Sequence, residues 1–168
     1  MTTEELRESL LAKPQNGYAT LTAEDRAAME AYCKRYAAFM DACETEREAT
    51  AWAVEIAEKN GFKALVPGMK LNPGDKVYKN NRGKAIMLAV IGTESLAKGA
   101  NICAAHTDSP RMDVKPNPLY EDSGFAMLKT HYYGGVKKFQ WVTLPLAIHG
   151  VVCLKDGSTV KICIGEEA

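Results

Sequence analysis

The stretch AAHTDSPRMD brings a histidine, an aspartate and an arginine, His106, Asp108 and Arg111, within six residues directly after an apolar run. A neutral imidazole is a ready metal ligand, and a carboxylate two residues further along extended chain points to the same side of the backbone. That carboxylate need not touch the metal. It can orient a neighbouring group, including the base that activates a metal-bound water, or support the ligand from behind. The same spacing also serves an ordinary capped turn, so the triplet by itself leaves a metal site and a plain loop both open. Arg111, following Pro110, suits either recognition of a carboxylate or a charge-assisted hydrogen bond that holds the loop. The structural role is the simpler of the two.

The segment that must position this triplet is GANICAA, an apolar run opened by Gly99 that leads straight into His106. It is read as a strand, which places the histidine at a strand's carboxyl end. Ligands and catalytic groups gather at that edge of an open α/β sheet, because the strands fix the origin of loops that are free to vary. Upstream, KVY and KAIMLAVIG are short apolar runs flanking KNNRG, a turn-forming stretch, and are expected to be strands too. Two helices precede them. Thr22 with Asp25 approximates a capping box ahead of Met29, Tyr32, Tyr36, Phe39 and Cys43. Thr45 with Glu48 forms a better one ahead of Trp52, Ala53, Ile56 and Ala57, a stripe that stops at Asn60-Gly61. Both stripes are read as core faces.

After Pro110 the texture changes. DVKPNPLYEDSG is interrupted by two prolines, and no helical stripe of useful length follows, so the remainder is expected to be all-β. Its clearest signal is GVVCLKDGSTVKICIG, where Val151 and Cys153, then Val160, Ile162 and Ile164, alternate around the Asp156-Gly157 turn. Phe139 and Trp141 are read as packing within this β segment, and His149 as a satisfied structural histidine. His131, beside two tyrosines and a glycine pair, is either part of a packed turn or a contact for substrate or a neighbouring subunit. Asp113 and Lys115 are read as a solvated strand beginning. The change of texture suggests a boundary that divides the chain into residues 1–112 and 113–168.

Composition narrows the partners. Lysine plus arginine equals aspartate plus glutamate at 21 each, so no net field recruits nucleic acid or an anionic membrane, and the Lys137-Lys138 pair is too small to change that. No apolar run approaches the roughly 18 residues of a membrane span. The start, MTTEELRESLL, carries acids and no apolar core of signal-peptide length, and the expected location is cytoplasmic. Five cysteines, Cys33, Cys43, Cys103, Cys153 and Cys163, include no C-x-x-C pair and are read as reduced, buried thiols rather than a disulfide framework or a cysteine zinc site.

The longer string AAHTDSPRMDVKPNPLYE, followed by KTHYYGGVKKFQWVTLPLAIHGVV and a hairpin ending IGEE, closely resembles the aspartyl and vacuolar-type aminopeptidase family of zinc exopeptidases. The resemblance is nearest to the yeast vacuolar aminopeptidase I branch and its bacterial relatives. It runs upstream through GDKVYKNNRGKAIMLAVIG and the ETEREAT helix start, and so covers nearly the whole chain. It implies a cytoplasmic metallo-aminopeptidase that removes single N-terminal residues from peptides, using two zinc ions, Zn(2+), bridged by a carboxylate and water. His106 matches the family's first zinc-binding histidine. Asp108 matches the catalytic-centre aspartate beside it, which orients the site and is not a direct ligand. The metals would polarise the scissile carbonyl and acidify the water, while a glutamate accepts its proton.

The resemblance also implies what is missing. The family's chains run well over twice as long, and the bridging aspartate, the glutamate pair, a further acidic ligand and the second zinc histidine lie later in them. One histidine does not hold a catalytic zinc, which takes about three protein ligands. Glu166-Glu167 is read as an exposed strand end and not as the catalytic pair. The implied fold class is α/β: residues 1–112 begin a zinc-exopeptidase α/β/α sandwich, and residues 113–168 open an inserted β-rich oligomerisation domain. Peptide substrates and a large closed homo-oligomer follow from the family, whereas nucleic acid and membrane partners do not. The alternative is a non-catalytic module whose β half mediates self-association or joins a full-length relative.

Overall fold

The computed structural model describes residues 2–166. The chain divides into two compact units between Ala38 and Phe39. The first begins with helix α1, Thr3–Leu10, whose Thr2 and Glu5 form a reciprocal capping box that the sequence reading passed over. Helix α2 is one turn, Gly17–Thr20. Helix α3, Ala23–Ala42, begins where expected, with the Thr22 hydroxyl accepting from the Asp25 N–H at 3.1 Å and the Asp25 carboxylate accepting from the Thr22 N–H at 3.2 Å. Its apolar stripe is not a core face: none of its residues is buried, and Tyr32 and Tyr36 stack on each other in the open. A stripe marks the face that a helix offers, and burial requires a second surface over it.

The second unit is organised around helix α4, Glu46–Lys59, which starts at the complete Thr45/Glu48 capping box and ends at Asn60, followed by Gly61 at φ +82°. Left-handed backbone at that position suits glycine and stops the helix there. The helix packs on strands β2, Lys76–Asn81, and β3, Ala85–Val90, which pair antiparallel from Lys76 opposite Val90 to Asn81 opposite Ala85. Arg82 and Gly83 turn the chain between them with positive φ, and the Asn80 side chain accepts from the Gly83 N–H at 2.7 Å. A two-residue strand, β1, Lys63–Ala64, pairs parallel to β2 on its other edge. Among the described residues the buried side chains are Ala49, Thr50 and Ala57 of the helix with Val77 and Tyr78 of β2, and the Tyr78 hydroxyl donates to Glu58 at 2.6 Å.

The strand expected over GANICAA does not form. Residues 99–110 are irregular, no described strand pairs with them, and Ile102 is 84% exposed. An apolar run becomes a strand only when a neighbour takes up its N–H and C=O groups, so His106 leaves from an irregular segment instead of a strand end.

Beyond it lie two separate hairpins. Strands β4, Arg111–Asp122, and β5, Phe125–Tyr133, pair antiparallel, with the register shifting between Val114 and Leu119. That interval contains Pro116 and Pro118, which have no N–H to give a ladder. Strand β4 runs through position 112 without interruption. Strands β6, Ile148–Cys153, and β7, Thr159–Ile164, form the hairpin expected around Asp156-Gly157, closed by the Leu154 N–H donating to the Ser158 carbonyl at 2.8 Å. Between the hairpins the expectation of pure β fails. Phe139 and Trp141 sit on a one-turn helix, α5, Lys138–Trp141, and Phe139 is 77% exposed instead of packed in a sheet. The thiols also depart from expectation, since Cys33, Cys103, Cys153 and Cys163 are exposed and only Cys43 is half-buried, although all five are free.

Candidate functional site

The β4–β5 register places Arg111 directly opposite Tyr133 and Asp113 opposite His131, so these four residues share one face of the hairpin where it meets the His106 loop. Alternation along β4 then lets Arg111 reach Asp113, with its Nε donating to Oδ1 at 2.8 Å. The Arg111 guanidinium lies 4.3 Å above the centre of the Tyr133 ring, and its Nη1, buried and without a hydrogen bond, faces Asp108 Oδ2 at 3.8 Å. Gly134 follows at φ +73°, and a Cβ there would come within 3.3 Å of Pro110. The absence of a side chain lets the end of β5 press on the loop that carries Asp108.

On that loop, His106 Nδ1 lies 3.0 Å from Asp108 Oδ1. Asp108 is mostly shielded, whereas the His106 side chain is 91% exposed. The Tyr133 hydroxyl beside it, followed by His106, holds the Asp108 carboxyl below the usual aspartate range. The Asp108 carboxylate in turn pushes the Tyr133 hydroxyl up. An ionised Asp108 accepts from Nδ1 when that nitrogen carries the proton, and the neutral ring in that tautomer turns its Nε2 lone pair outward. His106, Asp108, Ser109, Pro110, Tyr133 and Gly134 line an open cleft of about 540 Å³.

This donor arrangement fits one position of a zinc site: an imidazole whose outer nitrogen is free and whose inner N–H is held by a carboxylate is how metal-binding histidines are braced. It does not fit a whole site. Among the described residues no group of three histidine, cysteine, aspartate or glutamate side chains is close enough to hold a metal ion. Arg111 takes the structural role expected of it, and Asp113 is its partner instead of a solvated strand beginning. His131 stacks on Tyr132 at 5.2 Å and does not line the His106 cleft. Tyr133 was given no role by sequence; its only signals were its place before a glycine pair and the hairpin register that a structure supplies.

A second histidine is built differently. His149, on β6, places Nε2 2.9 Å from Glu166 and Nδ1 3.3 Å from Glu48, with the Cys163 sulfur at 3.9 Å from Nε2. It is 13% exposed, and Glu166 first, then Glu48, raise its pKa above the ordinary histidine value despite the opposing effect of burial. Glu166 is thus an exposed strand end, as expected, and also an ion-pair partner. Glu167 lies outside the described residues. The bond from His149 to Glu48 spans 101 positions, and no sequence spacing announces it.

The family model described as aminopeptidase I zinc metalloprotease (M18) matches residues 39–167. A probable M18 family aminopeptidase 1 of Clostridium acetobutylicum is 54% identical over 137 residues, covering 79% of this chain and 30% of that protein. Among solved structures, aminopeptidase I from Borrelia burgdorferi superposes with a TM-score of 0.84 at 42% identity, over 90% of this chain and 37% of the other. Aminopeptidase I from Clostridium acetobutylicum gives 0.76 at 47% identity, over 94% and 35%. The chain therefore spans about a third of the length of the relatives it matches.

Proposed function

Because the chain belongs to the M18 family of aminopeptidase I zinc metalloproteases, we propose that it supplies the first part of a zinc aminopeptidase centre, with His106 as a metal ligand and Asp108 as the carboxylate that orients it. The carrying observation is the 3.0 Å contact between His106 Nδ1 and Asp108 Oδ1, which leaves Nε2 free on an exposed ring. The reaction is release of N-terminal amino acids from peptides. When bound, zinc supplies a Lewis acid for the scissile carbonyl and lowers the pKa of an attacking water. What these residues do is narrower: His106 offers one nitrogen, and Asp108 keeps the proton on the other. Further ligands, and a second zinc, belong to sequence outside these residues, which is why 1–168 alone should bind zinc poorly.

A chimera tests this reading: residues 39–166 replace the matching segment of the Clostridium acetobutylicum relative, and zinc content and hydrolysis of aminoacyl-p-nitroanilides are measured. His106→Ala should strip at least one zinc and abolish turnover. Unchanged zinc and rate would sink the site assignment.

Association is the second strand of the reading. The inter-hairpin segment and the β4–β5 turn expose Leu119, Phe125, Phe139 and Val142, which favours homo-oligomer contacts through the β half. Sedimentation of the 168-residue chain as a monomer would argue against it.

A further inference from the structure

We propose that His149 is a pH-operated latch: its protonated ring ties the β6–β7 hairpin to the start of α4, and loss of one proton lets the hairpin undock while the rest of the second unit stays folded. The joint is one side chain, with Nδ1 3.3 Å from Glu48 and Nε2 2.9 Å from Glu166. No shared sheet does the same work. Among the described residues β6 and β7 pair only with each other, and no backbone hydrogen bond joins them to another strand. Packing is thin as well. Where the hairpin faces α4 and β4 lie two open clefts of about 360 and 350 Å³, and His149, Thr45 and Arg111 line both. A two-stranded hairpin without a covering surface is marginally stable in water, so this one depends on what holds it to its neighbours.

A ring between two ionised glutamates faces two acceptors, and only an imidazolium has a proton for each. When one proton leaves, the two distances decide which bond survives. Nε2 is closer to Glu166 than Nδ1 is to Glu48, so Nε2 keeps its proton and the Nδ1 lone pair is turned on the Glu48 carboxylate. Glu48 does not move aside, because its Oε2 accepts from the Thr45 hydroxyl at 2.9 Å within the capping box. The surviving bond lies within the hairpin and its continuation; the bond turned repulsive is the one that crosses to α4. Charges reach this place from every side. The approach and first turn of α4 bring Glu44, Glu46 and Arg47, and β4 brings Arg111 and Asp113, bonded to each other at 2.8 Å. Strand β7 adds Lys161 and Cys163, whose sulfur is 3.9 Å from Nε2. With Glu48 and Glu166 counted, carboxylates outnumber cations around the ring, which favours its charged form when docked. Glu166, ahead of Glu48, accordingly raises the pKa of His149 against the effect of burial. Docking is therefore complete below the ordinary histidine value of 6.5 and weakens as pH rises through the higher folded value.

Hydrogen exchange of the 168-residue chain tests this, read by mass spectrometry on peptides from β6–β7 and β2–β3 and corrected for the intrinsic pH dependence of exchange. It is measured at about pH 6 and about pH 9, without urea and in dilute urea. In the wild type the protection of β6–β7 should fall about five- to tenfold between the two pH values, the weight of one charge-assisted hydrogen bond in a part-exposed pair. The opening should also be insensitive to dilute urea, as a local event that exposes little surface. Strands β2 and β3 should stay better protected and open with a steep urea dependence. His149→Gln, with no proton to lose, should give low hairpin protection at both pH values. Glu48→Gln, whose amide donates to a neutral Nδ1, should flatten the pH response and carries the test should His149→Gln not fold. Three results overturn the latch: wild-type protection that does not fall, a fall that persists undiminished in the variant carrying the test, or hairpin amides that open only together with β2–β3.

Discussion

His106 and His149 are both held by carboxylates, and the contrast between them is in how much of each ring those carboxylates occupy. His106 has one carboxylate on one nitrogen, and its other nitrogen is in the open. His149 has a glutamate on each nitrogen and is largely covered. Both rings are satisfied, so hydrogen bonding alone does not distinguish them. What distinguishes them is what is left over: an imidazole flanked by two carboxylates is an ion-pair bridge, and a singly braced, exposed one keeps its second nitrogen accessible, as the proposed zinc role requires.

The comparison breaks first at Asp108. If its work is to orient His106, Asp108→Asn in the chimera should weaken zinc binding by about 10- to 100-fold, the usual weight of such a support. Folding stability of the 168-residue chain should move by less than about 0.5 kcal/mol, because asparagine keeps the shape and an acceptor oxygen for the exposed His106 ring. Competition with a zinc-sensitive dye gives the first quantity and urea unfolding the second. A stability loss above 1 kcal/mol with unchanged zinc affinity would make Asp108 a structural residue like Glu48.

His149 should show the opposite pattern. His149→Gln should leave zinc content of the chimera unchanged and cost about 1–2 kcal/mol of stability near pH 6, the weight of one to two charge-assisted hydrogen bonds discounted for the exposure of Glu166. The sign of its pH dependence follows from the raised pKa. The folded state binds the proton more tightly than the unfolded state, so the stabilisation is complete below the ordinary histidine value of 6.5 and is lost as pH rises through the higher folded value. Glu48 runs the other way. Burial opposes its ionised form, but the bonds from Thr45 and His149 prevail, so its contribution is present above 4.5 and lost as pH falls through its lowered value. Urea midpoints should therefore separate wild type from His149→Gln most clearly between these limits and converge towards pH 9. A gap that widens with pH would contradict the charged bridge.

These two sites were not equally legible in the sequence. His106, Asp108 and Arg111 lie within one loop, and local spacing brings them to notice. The capping boxes at Thr22 and Thr45 and the Asp156-Gly157 turn are local in the same sense, and each was found where expected. Glu48 and His149 meet only because β6 and the start of α4 are brought together, and Tyr133 reaches Asp108 only through the β4–β5 register. The strand expected at GANICAA failed for the complementary reason: a strand is a relation between two segments, and an apolar run states only half of it. The α3 stripe and the exposed thiols teach the same lesson about burial, which a side chain's hydrophobicity permits but does not supply.

The smallest expected effect sharpens the contrast from within α4, two residues after Glu48. Thr50 is fully buried, and its hydroxyl has no hydrogen-bond partner among the described residues. Glu48 is partly covered and gained Thr45 and His149 in exchange; Thr50 is fully covered and its hydroxyl gained no partner among the described residues. Valine has nearly the same shape and no polar atom to desolvate, so Thr50→Val should stabilise the chain by about 1 kcal/mol, read as a rise in the urea midpoint at unchanged slope. A destabilisation of similar size would mean that the hydroxyl has a partner in solution. The surroundings of α4 would then be wetter than its buried alanines indicate, and burial would no longer explain why His149 needs two carboxylates when His106 needs one.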